Sequence, residues 1–205
     1  MLRSRSWSWT GRSLCFLTST LRTGWGWRRS CWMRCVTRTA CSTWARAAAS
    51  TVSGPHRGLV NVVAVDVNPA AVACAKDNAR RNGVADRVTV LASDLFRNAS
   101  GRFDLIIFDP PFRWFRPRDM FERGTADENY LTLSTFFDQA SDHLQPSGRI
   151  LLSFGTTGDI AYLQHLITTH GFAASERRRV EGEKDGLAVA YIAYRLIIPP
   201  TPNGD

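Results

Sequence analysis

The stretch Phe103-Asp104-Leu105-Ile106-Ile107-Phe108-Asp109-Pro110-Pro111-Phe112 constrains the fold more than any other part of the chain. Leu105 to Phe108 is a short run of large apolar residues, the pattern of a strand covered on both faces. Pro110 and Pro111 carry no N–H for a sheet ladder, so the strand ends at Asp109. Asp109 and Phe112 are therefore expected at the carboxyl end of a central strand, where open α/β sheets bind their ligands. The tetrad suits a flat amino group. The Asp109 carboxylate and a carbonyl of the proline pair accept two N–H bonds, and Phe112 stacks on the plane. A strand-end turn with a structural Asp is the plainer alternative.

On either side of this strand the chain alternates strand and helix patterns. Asn61-Val62-Val63-Ala64-Val65-Asp66-Val67 is a β-branched strand ending near an acid. Asn68 is a good N-cap and Pro69 a good first helical residue, and the helix they open runs to Gly83. Val88 to Ala92 is the next short strand, followed by Ser93-Asp94-Leu95-Phe96. Beyond Phe112, the run Arg113-Trp114-Phe115-Arg116-Pro117-Arg118 interleaves aromatic and basic residues. It is either a substrate lip, with Trp114 or Phe115 stacking on a base, or a loop that packs its aromatics over the domain. Asp119 caps a short helix, and Tyr130 to Leu144 reads as an amphipathic helix with Leu133, Phe136, Phe137 and Ala140 on its face. After the turn Pro146-Ser147-Gly148 come the strand Arg149–Phe154 and a helix from Asp159 to His170, stopped by Gly171. Arg177–Val180 and Leu187–Ile197 read as an antiparallel hairpin. The order describes a doubly wound α/β sheet with a C-terminal hairpin.

Charge is unevenly distributed. The formal net charge is +8 over 205 residues, enough chain for one domain with a full core. Residues 1–58 hold ten Arg and no Lys, Asp or Glu, whereas residues 59–205 hold sixteen Lys plus Arg against eighteen acids. The basicity that would suggest a nucleic-acid partner thus lies outside the patterned region. Six of the seven Trp and four of the five Cys lie in the first 58 residues as well, and no helical or strand period is sustained there. Cys74 stands alone on its helix and implies no disulfide, which points to a reducing cytoplasm. No apolar run approaches the ~18 residues of a membrane span. The histidines show no metal-ligand spacing, so no metal site is expected, and nothing in the sequence fixes an oligomeric state.

Residues 61–197 resemble the class I S-adenosylmethionine-dependent methyltransferases. Asp109-Pro110-Pro111-Phe112 resembles the (N/D)-P-P-(F/Y/W) motif of enzymes that methylate planar nitrogens. The chain is most similar to the small-methyltransferase-domain group, which includes the release-factor glutamine methyltransferases and several RNA base methyltransferases. The resemblance implies a seven-stranded Rossmann-like sheet and S-adenosyl-L-methionine as cofactor. It assigns Asp66 to the cofactor ribose, Asp94 and Leu95 to the adenine ring, and Asp109 through Phe112 to the acceptor nitrogen. The implied reaction is methyl transfer to that nitrogen, with a glutamine-bearing protein favoured as partner and an RNA or DNA base as the alternative. Neither a metal nor a membrane enters it.

The resemblance fails over residues 1–58, where the first strand and its glycine-rich loop are expected and neither is visible. Reading the third base of each codon from Cys41 to Ser50 with the first two bases of the next gives a different result. Trp44-Ala45 then forces a glycine, and the other positions permit Leu-Asp-(Met/Val/Leu)-Gly-(Thr/Ala)-Gly-(Ser/Cys)-Gly-(Val/Ile)-(Asn/Asp). Such a loop needs glycines because its backbone turns tightly against the cofactor. The sequence therefore divides into a frameshifted or disordered segment at 1–58, a methyltransferase domain at 59–198 and a tail at 199–205. An inactive relic of the fold, binding no cofactor, is the reading from a different class.

Overall fold

The structure is a computed structural model and describes residues 12–16, 61–119, 122–184 and 186–200. Its strands are β1 (Arg12–Phe16), β2 (Asn61–Asp66), β3 (Val88–Ala92), β4 (Phe103–Phe108), β5 (Leu144–Gly155), β6 (Ala173–Lys184) and β7 (Leu187–Ile197). The helices are α1 (Pro69–Arg81), α2 (Leu131–Ala140) and α3 (Ile160–Thr169). The strands form one seven-stranded sheet in the order β3-β2-β1-β4-β5-β7-β6. Strands β3 through β5 in that order run parallel, and β7 is antiparallel to both β5 and β6.

The first strand, expected to be missing, is present. Arg12–Phe16 fills the central position, with Leu14 level with Val63 on one side and Ile106 on the other. Ladder pairing is a main-chain property and leaves little trace in a five-residue stretch without periodic neighbours, which is why the sequence pattern passed over it. The glycine loop expected from residues 41–50, and most of the segment set apart at 1–58, lie outside the described residues.

Strand alternation sends two apolar surfaces to opposite faces. On one face Val62 and Ala64 meet Val88 and Val90 beneath Val72, Ala75 and Ala79 of α1. On the other, Ile106, Phe108, Ile150, Leu152, Phe154, Ile192, Tyr194 and Leu196 pack under α2 and α3. Phe103, Phe108, Phe136, Phe137 and Phe154 are among the largest fully buried side chains, so β4 and β5 carry the densest part of the core. At about 1.5–3 kcal/mol for each large side chain fully buried, this cluster anchors the strand that ends in Asp109.

The helix ends follow the chemistry of their caps. The Asn68 side chain accepts the Ala70 N–H at 2.9 Å, and Asp159 accepts the Tyr162 N–H at 2.8 Å. Gly83 (φ 65°) and Gly171 (φ 72°) take the left-handed conformation just beyond α1 and α3. The expected helix from Tyr130 to Leu144 is shorter, Leu131–Ala140: Asn129 and Tyr130, with φ of 56° and 53°, set its start, and a turn at 141–143 leads into β5 at Leu144. The strand expected at Arg149 begins earlier, at Leu144, with a register shift against β4 between Phe103 and Leu105.

Candidate active site at the carboxyl edge of the sheet

Asp109 lies where β4 leaves the sheet, with Pro110 and Pro111 buried behind it and its Oδ1 fully enclosed. Phe112 is half-buried and its ring is fixed on several sides. It lies 5.4 Å from the Phe154 ring and 6.0 Å, edge-on, from Tyr191. Gly155 gives it room, since a Cβ there would sit 2.8 Å from the Phe112 ring. The Phe112 carbonyl accepts the Tyr130 hydroxyl at 3.2 Å, and the same hydroxyl oxygen accepts the Asp159 N–H at 2.8 Å. Tyr130 thus ties the tetrad to the start of α3.

The backbone beyond the tetrad is held as well. The Arg113 N–H donates to Thr125 O at 3.1 Å, and the Arg113 carbonyl accepts the Asp127 N–H at 2.9 Å. Asp127 is 4 % exposed, and its two carboxylate oxygens accept the N–H groups of Thr132 and Leu133, each at 2.9 Å. It caps α2 from inside the fold, where the positive end of the helix favours an acid. The two left-handed residues Asn129 and Tyr130 sit between that cap and the helix. Strain of this kind, ~1–3 kcal/mol for each such residue, persists where surrounding contacts over-determine it.

Two strands away across β1, about 10 Å by strand spacing, β2 ends in Asp66. Asp66 is 5 % exposed; its Oδ1 accepts the Asn68 N–H at 2.7 Å. Its Oδ2 is buried with no hydrogen-bond partner among the described residues. Burial pushes the carboxyl up to about 6, against the smaller pull of the Asn68 and Val67 N–H groups. A buried carboxylate oxygen left unsatisfied is costly, and a ligand hydroxyl group is what would satisfy it.

The loop after β3 lies beside Asp66. The Ser93 N–H donates to the Asp66 carbonyl at 3.0 Å, and the Ser93 hydroxyl donates to Leu95 O at 3.0 Å while accepting the Asn98 N–H at 2.9 Å. Leu95 is buried with φ 45°, a left-handed conformation unusual for a branched side chain, and Asp94 is exposed. The winding role of Ser93 escaped the sequence reading, although its place between a strand and an Asp was a usable signal.

The structure therefore gathers Asp66, Asp94, Leu95 and Asp109–Phe112 along one edge. It leaves Trp114 and Phe115 exposed, at 64 % and 43 %. Of the basic residues around them, Arg118 forms a bidentate pair with Glu122, and Arg116 lies 3.8 Å from Glu128. Two of the described histidines are used elsewhere. His143, in the turn before β5, bonds Gly101 O at 3.0 Å and stacks on Phe96. His170 contacts Asp138 at 3.1 Å, an acid partner that sequence spacing did not reveal. Among the described residues no cluster of His, Cys, Asp and Glu could hold a metal ion, and no helix is long and apolar enough to cross a membrane.

Comparison with known proteins identifies the family. Residues 48–161, more than half of the chain, match the family model described as methyltransferase small domain. The chain belongs to that family. Its match starts at residue 48, so the family likeness reaches into the segment where the sequence alone showed none. A putative protein N5-glutamine methyltransferase of Methanocaldococcus jannaschii is 46 % identical over 62 residues, 30 % of each chain. The release factor glutamine methyltransferase of Yersinia pestis is 31 % identical over 138 residues, covering 62 % of this chain and 49 % of that protein. A tRNA1(Val) (adenine(37)-N6)-methyltransferase of Porphyromonas gingivalis is 29 % identical over 99 residues, 44 % of this chain and 39 % of that one. The chain thus spans half or less of the length of these relatives. Among solved structures, a precorrin-6y C5,15-methyltransferase from Geobacter metallireducens superposes with a TM-score of 0.56 at 13 % identity, covering 91 % of this chain and 78 % of that one. That likeness shows the Rossmann-like methyltransferase fold.

Proposed function

We propose that the chain is the catalytic domain of an S-adenosylmethionine-dependent N-methyltransferase acting on a planar nitrogen, with the side-chain amide of a protein glutamine as the favoured acceptor. The observation that supports it is the pair of acids, buried Asp66 and half-buried Asp109, at the carboxyl ends of the two strands that flank β1. The residues fit the cofactor. The unsatisfied Asp66 Oδ2 suits a ribose hydroxyl, and the exposed Asp94 carboxylate with the turned-in Leu95 suits the amine and ring edge of adenine. S-adenosylmethionine, when bound, supplies an electrophilic methyl carbon on a sulfonium.

The remaining work falls to the tetrad. An amide nitrogen is a poor nucleophile because its lone pair is delocalised into the carbonyl. Asp109 and the Pro110 carbonyl accept its two N–H bonds, which orients the nitrogen and favours positive charge as it develops there. The nitrogen gains the methyl and sheds one N–H proton, for which Asp109 is the adjacent acceptor. Pro110 and Pro111 donate no hydrogen bonds, so they offer the acceptor only carbonyl oxygens.

A protein acceptor is favoured over a nucleic acid by the state of the lip. Arg116 and Arg118 face the carboxylates of Glu128 and Glu122, so these two arginines are paired within the chain rather than lined up as a cationic track. Two of the relatives carry glutamine methyltransferase in their names. The test offers methyl-labelled S-adenosylmethionine with a purified release factor or with bulk tRNA. Label on a glutamine of the release factor supports the reading; label in tRNA alone overturns it in favour of a nucleobase amine.

A further inference from the structure

The hairpin β6–β7 is longer than the sheet that carries it. Strand β5 ends at Gly155, which lies level with Tyr191 of β7, itself level with Val180 of β6. Pairing between β6 and β7 continues beyond that point through Glu181–Ala190, Gly182–Val189, Glu183–Ala188 and Lys184–Leu187. An arm of four paired residues, about 13 Å at strand rise, therefore projects past the carboxyl end of β5. This is the end of the sheet where Asp109 and Phe112 lie. The arm is clasped at its root, where the Thr156 N–H donates to Ala190 O at 2.9 Å and the Thr156 hydroxyl accepts the Ala190 N–H at 2.8 Å.

Alternation gives the arm two unlike faces. Ile192, Tyr194 and Leu196 point into the core under α3, so Tyr191, Val189 and Leu187 point the other way. Val180 stands directly opposite Tyr191 and shares that face. Leu187 is 69 % exposed and Val180 47 % exposed, and the Tyr191 ring meets the Phe112 ring edge-on. The result is an apolar stripe, from Phe112 through Tyr191 and Val189 to Leu187, that begins at the acceptor tetrad and runs outward. Glu181 and Glu183 lie exposed on the opposite face. At the foot of the arm, Arg179 is held bidentately by Glu176.

We propose that this stripe is the docking surface for a polypeptide segment of the substrate protein that flanks the methylated side chain. The proposal rests on the protein-directed reading of the site and extends it to how the substrate is held. Two features favour a polypeptide. The stripe is continuous with the tetrad, so a chain whose side chain reaches Asp109 passes over it. Its outer, exposed part is aliphatic at Val180 and Leu187, offering contact area to apolar side chains.

The test uses the full chain with Val180→Asp, Leu187→Asp and the double variant. Both side chains are exposed, so thermal melts should match the parent. Binding of a purified release factor, its methyl incorporation, and amide hydrogen exchange across residues 186–191 are followed together. The double variant is expected to bind the release factor at least about tenfold more weakly. Its KM should rise with kcat largely retained, and the parent hairpin should exchange more slowly in the complex. Unchanged affinity and KM, with no protection of the hairpin, would overturn the docking surface while methyl incorporation by the parent left the protein-directed reading standing. Protection of the hairpin by tRNA, with methyl transfer to tRNA in place of the release factor, would overturn both.

Discussion

Asp66→Asn separates the cofactor role of this residue from its cost to the fold. Burial raises the Asp66 carboxyl from an ordinary 3.8 to about 6. At ~1.36 kcal/mol per unit, ionising it costs the folded chain about 3 kcal/mol relative to the unfolded one. The sign follows from which state binds the proton. Below pH 3.8 both states are protonated and nothing is lost. Between 3.8 and about 6 the folded state holds the proton more tightly, so stability falls as pH rises, and above 6 the whole cost is present. Asparagine keeps an oxygen for the Asn68 N–H, which Asp66 accepts at 2.7 Å, and cannot ionise. It places an amide where the unsatisfied Oδ2 lies, at ~1–3 kcal/mol independent of pH, so the absolute stability of the variant is a poor readout. The difference between variant and parent is a good one: it should shift by about 2.4 kcal/mol in favour of asparagine from pH 4 to pH 8. Urea melts of both chains across that range measure it. A ribose hydroxyl bonded to Oδ2 favours the charged form, so cofactor affinity in the parent should weaken as pH falls through 6, and in the variant it should be low and flat. Parallel stability profiles for the two chains would refute the buried, unsatisfied carboxylate.

Other substitutions probe how the tetrad is held. Tyr130→Phe removes the donor to Phe112 O and leaves the Asp159 N–H without its acceptor; it should cost about 1–3 kcal/mol in a denaturant melt and lower kcat more than it raises the cofactor Kd. An unchanged kcat would show that the Phe112 carbonyl needs no anchor. Gly155→Ala places a Cβ 2.8 Å from the Phe112 ring, which should displace the ring, destabilise by about 1–3 kcal/mol and reduce turnover; a parent-like melt and rate would refute the close packing. Rewriting residues 41–50 in the alternative frame, as a glycine-rich loop, should raise cofactor affinity by at least about tenfold in a calorimetric titration. Equal affinity before and after would dismiss the frameshift.

Much of this architecture was legible because local chemistry and global fold agree at particular residues. The apolar run Leu105–Phe108 followed by two prolines left one interpretation for β4, and the caps Asn68 and Asp159 with the stops Gly83 and Gly171 bracket their helices. What was not legible depends on partners distant in sequence. Strand Arg12–Phe16 is defined by backbone pairing to β2 and β4, which its own side chains do not announce. Asp127 looks like any acid in a loop until the chain turns through Asn129 and Tyr130 and brings the α2 amides onto it. The hairpin was read too short at Arg177–Val180, because β6 is an edge strand with charged residues on both faces and no alternation to betray its length. The overhanging arm was invisible for that reason.

The most direct test of the account compares two alanine variants with the parent in two assays. Asp66→Ala and Asp109→Ala are each titrated with S-adenosylmethionine by calorimetry and assayed for methyl transfer to a release-factor glutamine by peptide mass spectrometry. The account predicts that Asp66→Ala loses about 1–3 kcal/mol of cofactor affinity, and that Asp109→Ala keeps cofactor affinity within a few-fold of the parent while glutamine methylation disappears. Equal loss of binding and turnover in Asp109→Ala would place that carboxylate in the cofactor pocket and contradict the division of labour between the two strand ends.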